Sequence, residues 1–337
     1  MALAPPLLDA VARALDRRAA LLAELRTEGT DALRLFHGIA EGEPGLTIDR
    51  YGPLLLVQTF RAPLPHDDVE QLAAFVGERL DAPLHVCANH RGSAPPAGFP
   101  LHEPAPQALQ EHLCRERGLS FAIQARHRGQ DPWLFLDLRP ARAFAHLHAA
   151  GRTVLNLFAY TCGVGVMAAA GGARLVLNVD FSEGALAVGA RNAAQNGVGS
   201  ERFRRLQSDC IPVLRQLARL PVQRRGRARA FAHIEPQPFD LVVLDPPRWA
   251  KGPFGAVDVA RDYESLWKPC VLTLADGGVA VATNHVPEAF AETWCERLRR
   301  CASKAGRPLR DLQLLPPAPD FPSFDGRPPL KIAVARV

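Results

Sequence analysis

Residues 239–249 read FDLVVLDPPRW, an apolar, strand-forming run that stops on a carboxylate and two prolines. Proline has no amide hydrogen and a fixed φ, so Pro246 and Pro247 end the ladder and stiffen the loop beyond it. Something is held just past the strand. Working outward, TVLNLF (153–158), ARLVLNVD (173–180), FRRLQSD (203–209) and GGVAVATN (277–284) are equally short and apolar, with helical stretches such as SEGALAVGARNAAQNG (182–197) between them. Strands alternating with helices predict an α/β fold built on a doubly wound, mostly parallel sheet. Ligands of such sheets lie beyond the carboxyl ends of the strands, so those ends carry the functional reading.

The first of these strands runs into NLFAYTCGVGV (156–166), where Gly163 and Gly165 let the backbone turn tightly before a helix. The second ends at Asp180, placed to accept hydrogen bonds from a ribose diol. The third ends at Asp209, which could receive an adenine amino group, and the fourth at Asp245. Any one of these carboxylates could be an ordinary helix cap, but three strand tips in one sheet point to a ligand. A dinucleotide site needs GxGxxG, and the third position here is Ala168; a phosphate-binding loop needs GK[ST], which does not follow. An adenosine cofactor without pyrophosphate fits better, and S-adenosylmethionine is the common one.

The 337 residues, 47% of them hydrophobic, suffice for two compact domains. The first 25 residues are Leu/Ala-rich but interrupted by Asp9, Arg13, Asp16, Arg17 and Arg18, which predicts an amphipathic helix and excludes a signal peptide or a membrane span. Seven cysteines without a CxxC pair fit a reducing cytoplasm. The net charge of +5 is concentrated: nine arginines fall between Arg202 and Arg229, ending in QRRGRARA (223–230), either a solvated surface or a phosphate-contacting patch.

Before residue 119 the pattern differs. A turn at Gly42, Pro44 and Gly45 separates two apolar runs, a helix-like DDVEQLAAFVGERL (67–80) follows, and APLHVCAN (82–89) reads as another strand, with a further short one near Gly98–Leu101. His85, Cys87 and His90 lie close together, but alternate strand residues face opposite ways and no fourth ligand is near, so no metal site is expected.

Taken in order, NLFAYTCGVGV, NVDFSEGAL, ARNAAQNGV, LQSDC and FDLVVLDPPRWAK resemble the Rossmann-like class I methyltransferase domain of bacterial 23S rRNA methyltransferases, both the cytosine-C5 enzymes and the related guanine-N7 domain. FLDLRPAR (135–142) is similar to that family's aromatic-Leu-Asp-Gln-Arg-x-x-Arg segment, RDYESLW (261–267) to its Arg-x-Tyr segment, and HGIAEGEPGLTIDRYGPLLLVQ (37–58) to the opening of its small β-β-α-β-β domain. The resemblance covers roughly residues 30–337. It implies a helical lead over 1–29, a small α+β domain over 30–118 that binds RNA, and a catalytic domain over 119–337. Members of the cytosine branch often begin with a PUA domain, in whose place this sequence has the helical lead.

The resemblance implies that S-adenosylmethionine lies against Asn156, Phe158, Tyr160, Thr161, Gly163, Gly165, Asp180, Phe181, Ser182, Asp209, Cys210 and Asp245, with Arg139 on the methionine carboxylate. Asp245, Pro246, Pro247, Asn284 and His285 are the expected catalytic set. Trp249 offers a face on which an extruded base can stack, and Arg224, Arg225 and Arg227 would hold RNA.

Chemistry separates the two branches. Carbon 5 of cytosine is a poor nucleophile, so its methylation normally starts with a thiolate adding at carbon 6. In the cytosine branch that Cys follows the strand after the Asp-Pro-Pro loop; here the position is His285, preceded by Thr283 and Asn284. Thr-Asn-His resembles instead the Ser-Asn-Asn segment of the guanine-N7 domain, and N7 carries no proton that a base must remove. The expectation is a cytoplasmic methyltransferase acting on a guanine nitrogen of 23S rRNA, with a homodimer allowed. Cytosine-C5 methylation and a silent RNA-binding assembly factor are the alternatives.

Overall fold

The computed structural model describes residues 5–126, 132–222, 232–252 and 255–337. It divides into two units, one running to Leu136 and including Ala318–Arg327, the other comprising Asp137–Pro317 and Pro328–Val337. The division thus falls some eighteen residues beyond the position expected from the sequence.

The first unit begins with α1 (Pro5–Arg17) and α2 (Ala19–Glu28), continues through β1 (Ala32–His37), the short α3 (Gly38–Glu41), β2 (Leu46–Tyr51), β3 (Leu54–Thr59), α4 (His66–Leu80) and β4 (His85–His90), and closes with the hairpin β5 (His112–Glu116) and β6 (Leu119–Ile123). Its sheet has the order β1-β2-β3-β4, antiparallel except for the β3–β4 pair. Helix α4 buries Val69, Leu72, Ala73, Val76 and Leu80, a spacing of three and four that makes one apolar stripe. Two expectations change. Gly52, at φ +57, and Pro53 break the second apolar run into two strands, so the order is β-β-β-α-β. Near Leu101 there is only an isolated bridge to Pro65.

The leading segment is two helices rather than one, and it belongs to this unit's core, where Leu7, Val11, Ala14 and Leu15 pack with Leu35, Ile48 and Val76. The helices meet at the buried Arg18. Its guanidinium donates to the Ala14 and Arg34 carbonyls, each at 3.1 Å, and to Glu41 Oε1 at 2.5 Å. A buried arginine requires such a full set of acceptors.

The second unit contains α5 (Arg139–His148), β7 (Thr153–Leu157), α6 (Gly163–Ala170), β8 (Leu175–Asp180), α7 (Glu183–Gln195), β9 (Phe203–Gln207), α8 (Cys210–Leu217), β10 (Phe239–Leu244), the small pair β11 (Trp249–Gly252) and β12 (Gly255–Asp258), α9 (Glu264–Thr273), β13 (Leu274–Asn284), α10 (Ala291–Lys304), β14 (Asp311–Leu315) and β15 (Lys331–Arg336). Its seven strands lie in the order β14-β15-β13-β10-β7-β8-β9. Only β15 runs against its neighbours, and it separates β13 from β14. The doubly wound, mostly parallel α/β sheet expected from the sequence is therefore present, and the reversed strand distinguishes it from the all-parallel 3-2-1-4-5-6 dinucleotide order. The central β7 and β10 are buried on both faces, as parallel sheets require. Among the described residues no helix is long and apolar enough to cross a membrane.

Candidate active site

Register places the functional side chains. Leu157 pairs with Val179, which sets the loop after β7 beside the end of β8; Leu244 pairs with Ala282, which sets Asp245 beside Thr283 and His285. The sheet thus offers two clusters at its carboxyl edge.

The first is organised by backbone. Phe158, Tyr160 and Cys162 have φ of +57, +48 and +60, three left-handed non-glycine residues within five positions. Such conformations cost on the order of 1–3 kcal/mol each and persist only where the surroundings enforce them. Asp180 supplies part of that restraint. Its side chain accepts the Tyr160 N–H at Oδ2 and the Ser182 N–H at Oδ1, each at 2.8 Å. Burial raises its carboxyl pKa above the usual aspartate value, and hydrogen bonds from the Ser182 and Tyr160 amides oppose that shift. Beneath the loop, Gly165 is obligatory, because a Cβ there would lie 2.0 Å from Asn178 Oδ1. Phe181, 71% exposed at the tip of β8, presents a bare aromatic face next to this carboxylate.

Several residues expected to touch the cofactor lie deeper than that. Asn156 is buried and donates to Asn178 Oδ1 at 2.9 Å; Cys210 is buried, its sulfur accepting from Phe158 N at 3.2 Å and donating to the Val179 carbonyl at 3.4 Å. Thr161 is likewise buried. Cys210 supports the loop from below through the Phe158 amide, Asn156 is tied to Asn178 within the sheet, and all three side chains are buried. Asp209 caps α8 through a 2.9 Å bond from Ile211 N, and Ser182 caps α7 through a 3.2 Å bond from Ala185 N. Gly163 opens α6, and Arg139 is buried at the first position of α5.

The second cluster is made of side chains. Asp245 Oδ1 accepts from the Thr283 hydroxyl and bonds His285 Nε2 at 2.8 Å. The buried Tyr263, whose place was visible only as part of RDYESLW, fixes the strand end by donating to the Thr283 carbonyl at 2.8 Å. Burial alone would lower the His285 pKa, but the Asp245 charge and hydrogen bond, with Asp137 assisting, leave it raised above 6.5. Asn284 does not join them. Successive strand residues face opposite ways, and its buried amide accepts from Val286 N at 2.9 Å beside a cavity of about 250 Å³ lined also by Phe290, Trp294 and Arg297. The expectation that Asn284 and His285 act side by side is corrected by that alternation. Pro246 is buried, Pro247 exposed, and Trp249, 55% exposed, opens β11. Arg224, Arg225 and Arg227 lie outside the described residues.

All seven cysteines are free, and six are buried. Burial pushes the thiols of Cys162, Cys210 and Cys270 far up, and those of Cys87, Cys295 and Cys301 upward as well. None of these six has the lowered pKa of a nucleophilic thiol.

The model of the S-adenosylmethionine-dependent methyltransferases matches residues 33–336. The chain belongs to this family. Among curated relatives, a ribosomal RNA large subunit methyltransferase of Deinococcus radiodurans is 31% identical over 315 residues, covering 91% of this chain and 72% of the relative. The ribosomal RNA large subunit methyltransferase I of Aeromonas hydrophila is 28% identical over 308 residues, covering 88% and 72%. Among solved structures, SMU.776, provisionally classed as a methyltransferase and crystallised with S-adenosylhomocysteine, superposes with a TM-score of 0.77 at 23% identity, over 98% of this chain and 80% of that one. The chain is thus a methyltransferase, and S-adenosylmethionine is its cofactor. The first cluster fits that molecule: Asp180 stands at the strand tip, Phe181 exposes a ring beside it, and Gly165 admits no side chain beneath the turn. When bound, S-adenosylmethionine supplies an electrophilic methyl on a sulfonium.

Metal ligation is not needed to account for the one described cluster of ligand-type residues, His66, Glu70 and His102 in the first unit. Nδ1 of each ring accepts a backbone N–H, from Glu103 at 3.3 Å and from Ala88 at 3.2 Å, which leaves the hydrogen of a neutral ring on Nε2. His102 Nε2 then donates to Glu70 Oε1 at 3.0 Å. Metal binding at those nitrogens would require the opposite tautomer.

Proposed function

We propose that this methyltransferase acts on a base of large-subunit ribosomal RNA, at a guanine ring nitrogen of the N7 type, without a covalent enzyme–base intermediate. The observation that carries the reading is the Asp245–His285–Thr283 cluster at the strand end where a cytosine-C5 enzyme would need its thiolate. The buried, raised thiols support it from the other side.

Guanine shows two acceptors on one edge, N7 and O6. His285 Nε2–H donates to Asp245, so the imidazolium, favoured by the raised pKa, has Nδ1–H left to donate to O6. N7 keeps its lone pair for the methyl group, and no proton has to leave. Transfer then depends on holding the base in line with the sulfonium. Trp249 would stack on the extruded base, a contact worth about 1–3 kcal/mol.

Ribosomal RNA as substrate is supported by the names of the curated relatives. The small unit, and the arginines between 202 and 229, are proposed to hold that RNA, and a cytoplasmic location goes with it. The test is to incubate the protein with methyl-labelled S-adenosylmethionine and unmodified 23S rRNA and to identify the labelled nucleoside by mass spectrometry. The expected product is 7-methylguanosine. Label in 5-methylcytidine would overturn the nitrogen reading, and absence of label would overturn ribosomal RNA as the substrate.

A further inference from the structure

The first unit contains a cavity of about 340 Å³ that the transfer reaction does not use. It lies along β4, an edge strand whose outer backbone groups are taken by side chains: His102 Nδ1 accepts from Ala88 N, and Arg126 donates from Nη2 to the Ala88 carbonyl at 2.7 Å. Arg126 Nε also donates to Asn89 Oδ1 at 2.7 Å. The guanidinium is therefore fixed on two sides, yet it is exposed and makes no ion pair among the described residues. No Asp or Glu lines the cavity.

Apart from Arg126, the lining holds no Asp, Glu, Lys or Arg. His90 is locked, Nδ1 against Thr59 Oγ1 at 2.8 Å and Nε2 against the Ser93 carbonyl at 2.8 Å. Gly92 allows the chain to pass over that ring, since a Cβ there would lie 2.7 Å from it. The His102 ring closes the inner end of the cavity, buried and stacked on His66, and burial holds its pKa down although Glu70 opposes it. Leu101, 42% exposed, and Leu64 add apolar area. A fixed, exposed cation beside apolar walls, with no carboxylate paired to it among the described residues, has the chemistry for one phosphate and one base.

We propose that this cavity seats a single unpaired nucleotide of the RNA substrate, its phosphate on Arg126 and its base against Leu101 and Leu64. Unpaired bases are the ones whose faces and edges are open to stacking and hydrogen bonding, and phosphate contacts set position without reading sequence. The inference rests on the RNA reading above. It adds that the small unit holds a nucleotide apart from the one that is methylated.

The test uses the full-length protein and an unmodified 23S rRNA transcript carrying 4-thiouridine. Irradiation followed by peptide mapping is expected to place crosslinks in Asn89–His102. Arg126→Glu should weaken RNA binding about tenfold and lower the slope of log affinity against log salt by about one unit. Affinity for S-adenosylmethionine should not change, while the melting midpoint should fall modestly with the loss of the Arg126 bonds to Ala88 and Asn89. Ala94→Trp, which adds bulk at an exposed lining position and leaves Arg126, Ala88 and Asn89 unchanged, should weaken RNA binding as well. Normal RNA affinity in both variants, with crosslinks confined to the methyltransferase unit, would overturn the cavity and leave the RNA reading standing. No RNA binding by the unmodified protein would remove the RNA reading itself, and the cavity proposal with it.

Discussion

The carboxylates at the tips of β8 and β10 sit in one sheet and are held in opposite ways. Asp180 is fixed by the backbone, through the N–H groups of Tyr160 and Ser182, whereas Asp245 is fixed by the side chains of Thr283 and His285. Backbone donors do not titrate, and among single substitutions only proline removes one. The end proposed to meet the cofactor is therefore held by groups that do not change charge. At the end proposed to meet the target base the partner is an imidazole whose pKa is raised, so charge and hydrogen bonding there can respond to pH.

The sharpest way to break this contrast is Asp180→Ala. Two charge-assisted bonds to a ribose diol are worth about 1.5–3 kcal/mol each, so S-adenosylmethionine affinity is expected to fall on the order of 10²- to 10⁴-fold by calorimetry. The Tyr160 and Ser182 amides would lose their acceptor at the same time, and the melting midpoint should drop. An affinity within threefold of the unmodified protein would show that Asp180 serves only the loop. Gly165→Ala tests the rigidity without removing a polar group. A Cβ 2.0 Å from Asn178 Oδ1 must displace the Asn156–Asn178 bond, and overpacking of this kind costs about 1–3 kcal/mol. Unfolding in urea would read that loss.

At the other carboxylate the effect should fall on turnover. His285→Ala is expected to lower kcat roughly 10- to 100-fold, the worth of one charged hydrogen bond, and to leave cofactor affinity unchanged. The pH dependence has a definite sign. Because Asp245 leaves the His285 pKa raised, the imidazolium is fully present below pH 6.5 and is lost as pH rises through the folded value above it. Turnover and the stability contributed by the pair should both decline across that window. In His285→Gln the decline should vanish, and a profile unchanged by the substitution would remove His285 from the transfer step.

The two ends were also unequally legible. Asp180 and Asp245 stand out in the sequence because apolar runs stop on them, whereas Asp209 follows the mostly polar FRRLQS and is marked by its place in the strand–helix alternation. The left-handed residues at 158, 160 and 162 do not stand out, since Phe, Tyr and Cys carry no signal for positive φ and the tertiary frame imposes it. Asn284 is placed by the sequence alone: the period of two that turns it away from Thr283 and His285 is a property of any strand. Asp320, whose carboxylate accepts the Arg34 N–H at 2.8 Å, lies 286 residues away from its partner in a polar loop with no periodicity, and nothing local marks its return to the first unit.

The smallest expected effect decides the most about chemistry. Cys162 stands at the cofactor turn, its sulfur donating to the Tyr160 carbonyl at 3.8 Å and packed where Gly189 leaves room for it, within 2.4 Å of where a Cβ would be. Burial and the nearby Asp180 charge both keep its thiol protonated. Serine fits the same space with a hydroxyl that can make the same bond, so Cys162→Ser is expected to keep methyl transfer within about threefold, at a stability cost of about 1 kcal/mol. A thiolate nucleophile replaced by serine would instead lose activity by orders of magnitude and would no longer trap a 5-fluorocytidine-containing RNA. That result would move the reacting group to the end of the sheet that the backbone holds rigid, and Asp245 with His285 would become its support.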